Sequence, residues 1–151
     1  ARAGFFKAKY TNWVVADFRP ERSPVHNMAE ALAETFSNKT STIETELRRG
    51  YSSLIDLYTN SDFYIDEADE HYQQLDEPQK KDKKRKAANL MIIVDQFEEF
   101  FTNPENFYNE APSQDSQIVV NLVLETARIA IQKNIPVYIV CTMRSDYNVE
   151  I

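Results

Sequence analysis

The sequence predicts an α/β fold of three layers, a parallel sheet of about three strands flanked by helices. Three observations predict it. Leu90-Met91-Ile92-Ile93-Val94 and Val137-Tyr138-Ile139-Val140-Cys141 are short, unbroken apolar runs rich in β-branched residues. Such runs are the pattern of strands buried on both faces. Residues 10–18 (YTNWVVADF) form a further strand candidate, and segments of helical periodicity lie between the three. Strand, helices, strand, helix, strand is the rhythm of parallel pairing through right-handed crossovers.

Each element has local reasons. Arg19-Pro20 closes the first strand, and Ser23-Pro24 opens a helix, with Ser23 as N-cap and proline where its missing N–H costs nothing. Val25, Met28, Leu32 and Phe36 then recur at helical spacing. Ser41 and Glu44 suggest a capping box for a second helix, with Ile43, Leu47, Leu54 and Tyr58 inside and Gly50 as a break. Residues 60–89 change character: an acidic stretch with Tyr64, Ala68 and Tyr72 at helical spacing precedes a basic one, Lys80 to Lys86. The basic half reads as a solvated loop or frayed helix end. After the strand at 90–94, residues 97–102 read as a short helix and 103–113 as a loop. Ser113 or Ser116 caps a long helix that Asn134 and Pro136 stop, and residues 137–142 (VYIVCT) return as a strand.

At 151 residues the chain is a single domain, 1–151, interrupted by the charged insertion at 60–89. A net charge of −7 opposes general nucleic-acid binding. No apolar stretch reaches transmembrane length, and the lone Cys141 gives no disulfide framework, so the expectation is a cytoplasmic protein without membrane contact. A start at Ala1 rather than methionine suggests a piece of something longer.

The chemistry gathers where strands end. Asp95 follows the run 90–94, and the carboxyl ends of parallel strands are where open α/β sheets bind ligands. An aspartate there can hold magnesium, directly or through water, for phosphoryl transfer. Glu98 or Glu99 can polarise a water. Being about 100° apart on a helix, only one of them faces the metal, and Glu98 is the choice. Equally, these acids can simply favour the dipole of a helix first turn. Arg144, just past the last strand, projects from the same edge, either to bind a γ-phosphate bidentately or to pair with Asp146. Thr142 can bond a phosphate or the attacking water, or merely end its strand. Arg19 leaves the first strand at that edge too, to touch a ligand or to turn the chain with Pro20. No G-x-x-x-x-G-K-[ST] phosphate loop occurs: Gly4 precedes Phe5-Phe6-Lys7, and Gly50 precedes Tyr51-Ser52-Ser53.

The segments WVVADFRP (13–20), Ser23-Pro24, IIVDQFEEFF (92–101) and VYIVCTMRSDY (137–147) together resemble the nucleotide-binding domain of bacterial STAND proteins. The resemblance is narrowest to the group whose Walker B strand ends in D-Q-F-E-E, and it spans the chain outside the insertion. It implies part of a P-loop NTPase core, a switch that binds ATP and magnesium within a multidomain signalling protein. By the resemblance Asp95 is the Walker B magnesium ligand, Glu98 the hydrolytic acid and Arg144 the sensor arginine. It also implies a phosphate loop and first core strand upstream of Ala1, and a fifth strand beyond Ile151. The chain alone is then expected to be inactive and to bind no cofactor tightly. Expected partners are sensor repeats, an effector, and further copies of itself through exposed sheet edges. The alternative is a non-catalytic, flavodoxin-like regulatory or interaction domain.

Overall fold

The computed structural model describes residues 8–102, 107–108 and 111–143. β1 (Asn12–Phe18) leads into α1 (Pro24–Phe36), α2 (Thr40–Arg49) and α3 (Ser53–Thr59). A charged excursion follows, with α4 (Glu70–Gln73) and α5 (Glu77–Lys86), before β2 (Ala88–Val94). Beyond it come α6 (Glu99–Thr102), the short pair β3 (Phe107–Tyr108) and β4 (Ala111–Pro112), then α7 (Gln114–Lys133) and β5 (Val137–Cys141). The fold is α/β, with a three-stranded parallel sheet flanked by helices in the order β1-β2-β5.

β2 is the central strand. Its register sets Leu90 between Val14 and Val137, Ile92 between Ala16 and Ile139, and Val94 between Phe18 and Cys141. Strand side chains alternate between faces, so these triplets share one face. Leu90, Ile92 and Val94 there are fully buried. Two right-handed crossovers that step the same way across a sheet put their helices on one side. Accordingly α1 and α7 pack on each other as well as on β1 and β5, with α2 and α3 set against them. Val25, Met28, Ala29 and Leu32 of α1 meet Val119, Leu122 and Ile129 of α7 in this core. Each fully buried aliphatic side chain contributes about 1.5–3 kcal/mol. The opposite face carries Trp13, Val15, Met91, Ile93 and Tyr138, all at least partly exposed, with the Trp13 and Tyr138 rings in tilted contact at 5.3 Å across β2.

Several local expectations are corrected. Ser23 is the N-cap of α1 with Pro24 opening the helix, as expected, though its side chain makes no capping bond. Ser41 is not a cap, since α2 begins at Thr40 with Lys39 as N-cap. Gly50 does divide α2 from α3. The acidic stretch forms only the single turn of α4, with Ala68 exposed. Asp66 accepts from the Ala68 amide in a turn, and Asp69 caps α4 by accepting from the Tyr72 amide, so the helix starts only at Glu70. The basic stretch, expected as a solvated loop or a frayed helix end, is a full helix, α5, and it buries no residue. Its support is local. Asp76 and Gln79 form a reciprocal capping box, Asp82 pairs with Arg85 and Lys86, and the basic last turn suits the helix dipole. Ser113 caps α7 by accepting from the Ser116 amide, and Asn134 ends it in the left-handed region at φ 55°. Among the described residues no helix is long and apolar enough to cross a membrane.

A buried amide fixes where β1 begins. Asn89 is fully buried, accepts from the Tyr10 amide at 3.0 Å, and donates to the carbonyls of Tyr10 (2.8 Å) and Asn12 (3.0 Å). Asn89→Ala leaves those groups unpartnered and should lower unfolding free energy by about 2–3 kcal/mol in urea denaturation. Beside it the buried Tyr58 hydroxyl donates to the Ala88 carbonyl at 2.8 Å. Burial raises the Tyr58 pKa above the ordinary 10.0. A raised folded-state value means that this contribution is intact below the unfolded-state pKa and is lost as pH climbs past it. Alkaline titration should therefore unfold the protein progressively above pH 10, and Tyr58→Phe should flatten that loss.

Candidate functional site at the carboxyl edge of the sheet

In-register parallel strands end together. The pairing Phe18–Val94–Cys141 brings the next residues, Arg19, Asp95 and Thr142, into one row. Backbone bonds continue past the strands: the Asp95 amide donates to the Phe18 carbonyl at 2.8 Å, and Thr142 to Val94 at 2.9 Å. The chain then turns sharply. Gln96 takes a left-handed conformation, φ 53°, uncommon for a residue with a Cβ. It is held from both sides. Its amide donates to Thr142 Oγ1 at 3.1 Å, and its side-chain oxygen accepts from Arg19 Nη2 at 3.0 Å. The Phe97 amide adds a bond to the Thr142 carbonyl at 2.8 Å.

Thr142 does two things with one hydroxyl. While accepting from Gln96 it donates to Asp95 Oδ1 at 2.6 Å, so it fixes both the turn and the carboxylate. The turn sets the phase of α6, which starts at Glu99 rather than at residue 97. In consequence the two glutamates part. Glu98 is buried at 4% exposure, whereas Glu99 stands at the edge in a forked pair with Arg19. Arg19 Nε donates to Glu99 Oε1 at 3.3 Å and Nη2 to Oε2 at 3.2 Å. The bond from Arg19 and then its charge make Glu99 the main reason that the guanidinium pKa lies above its ordinary value, with smaller contributions from Glu21 and Asp95.

The edge is electronegative. An open cleft of about 410 Å³ runs beside it, lined by Asp17, Glu21, Glu30, Glu34 and Asp95 together with Arg19. Such a surface attracts cations. Among the described residues no group of three or more His, Cys, Asp or Glu is arranged to hold a metal. Asp95 alone still suits magnesium, which keeps several waters and takes one or two carboxylates together with substrate phosphates. Its Oδ1 is oriented by Thr142, as an outer partner orients a ligand. A larger cleft of about 700 Å³ between α2 and α3 includes none of these residues.

Asp95 and Thr142 thus come together as their sequence positions suggest, and Arg19 joins them. Arg144 lies outside the described residues. Gln96 was not among the expected site residues, and no sequence signal marks its left-handed backbone.

The arrangement is that of an open α/β domain with polar side chains gathered at the carboxyl ends of its strands, the edge where such sheets in general bind ligands. The chain belongs to the novel STAND NTPase 1 family, whose family model matches residues 1–151. No curated protein and no solved structure matches it. Thr142→Val should loosen the turn, cost about 1 kcal/mol of stability, and speed hydrogen exchange at the Gln96 amide.

Proposed function

We propose that this domain is the acid-bearing part of an ATP switch in a multidomain signalling protein. The observation that carries the reading is Asp95, at the end of the central strand with its carboxylate oriented by Thr142. Magnesium held there, directly or through water, supplies charge neutralisation for the triphosphate. Thr142 keeps Asp95 aimed at that ion and lies within reach of a phosphate. Glu98 takes the role of polarising the attacking water from the family resemblance alone; it is buried, so it must turn towards the edge to meet that water. Arg144 reads the terminal phosphate.

The donors that cradle phosphates must come from elsewhere. The 151 residues contain no G-x-x-x-x-G-K-[ST] loop, and without its N–H groups and lysine affinity falls steeply. The chain alone is therefore the weak-binding part of a composite site. Sensor repeats, an effector and further copies of the chain are the partners that such a switch serves.

Calorimetry with Mg-ATP tests this on the chain and on a form extended upstream through a phosphate loop. Tight binding should appear in the extended form only and vanish with Asp95→Ala, the chain alone binding weakly. Tight binding by the short chain, or binding indifferent to Asp95, overturns the reading. In the extended form Glu98→Gln should slow hydrolysis by about a hundredfold and Glu99→Gln much less.

A further inference from the structure

We propose that Arg19 is a two-position cation that exchanges the Glu99 carboxylate for the terminal phosphate of a nucleotide seated over Asp95. The proposal rests on the ATP reading above and adds a residue and a signal to it. Arg19 directly follows β1 and stands in the row with Asp95, so a phosphate brought to Asp95 arrives beside the guanidinium. The guanidinium is accessible: its side chain is 44% exposed, against 18% for Glu99. An ion pair so open to water is weakly held. A phosphate offers the same planar fork more charge and more acceptor oxygens. The five carboxylates of the neighbouring cleft make a bare triphosphate unwelcome, so a cation that can turn towards it has a purpose.

The exchange has a built-in readout. Arg19 Nη2 also bonds the Gln96 side chain, the left-handed residue between Asp95 and α6. When Arg19 turns to a phosphate, Gln96 loses that partner and Glu99, the first residue of α6, is released. Phe97 packs against both Phe100 and Phe101 at 5.2 and 5.9 Å, so motion of this turn passes to Phe101 on the surface. Phosphate occupancy is thereby converted into a change at residues 96–101.

Solution NMR of the arginine Nε–Hε groups tests the proposal on the chain itself, with magnesium tripolyphosphate as probe. Titration should move the Arg19 signal, and the Gln96 amide should follow it at the same midpoint. Glu99→Gln removes the competing carboxylate and should lower that midpoint by about threefold, the scale of an exposed ion pair. Arg19→Lys keeps the charge without the fork and should abolish the coupled shift at Gln96 while the fold persists by circular dichroism. An Arg19 signal that stays put, or a midpoint unchanged by Glu99→Gln, overturns the exchange. Asp95→Ala separates the two readings. If the Arg19 response is the same with Asp95→Ala and without magnesium, the exchange stands and the magnesium role of Asp95 falls. If magnesium binds through Asp95 while Arg19 is silent, the ATP reading stands and the exchange falls.

Discussion

Everything in this fold depends on β2 being paired on both sides. A strand flanked by parallel partners has its backbone groups satisfied and its alternate side chains committed to one register. Because that register sets Val94 level with both Phe18 and Cys141, the three chains reach the sheet edge together. A slip of one residue would turn Leu90, Ile92 and Val94 away from the helices and pull Arg19, Asp95 and Thr142 out of line. Core packing and site geometry are thus one constraint, and Asn89, which ties the start of β1 to β2, protects both.

The same topology explains the unequal faces of the sheet. Both crossovers step in one direction, so α1 and α7 share a side and Trp13, Val15, Met91, Ile93 and Tyr138 line the other. That face is more apolar than a solvent-facing strand pattern requires. Strands apolar on both faces are the pattern of a parallel sheet, and this is the second of those faces.

Strands, α1 and α7 were legible because periodicity reports burial, and these elements are where burial is greatest. α5 was not, because its helix rests on the Asp76–Gln79 box and ion pairs of its own, with no apolar stripe to see. In the site, Asp95 and Thr142 were readable from their place at strand ends. The division between Glu98 and Glu99 was not. It follows from a backbone angle at Gln96 that delays the helix by two residues, and residue spacing carries no trace of such an angle.

The charged excursion has a consequence for how the chain can vary in length. Tyr10 bonds Asn89 across 79 positions, yet the ties that seat β2 beside β1 lie before and after the excursion. Phe63 accepts from the Ala88 amide, and Tyr10 meets the backbone of Ile65. Between Ile65 and Ala87 no side chain is buried, so no core residue fixes how many residues must lie there. Doubling a flexible connection costs only about 0.6 kcal/mol of closure entropy. The span from 66 to 86 is thus a port in the fold, able to lengthen, shrink or accept a foreign module while the register at the sheet edge stays as it is.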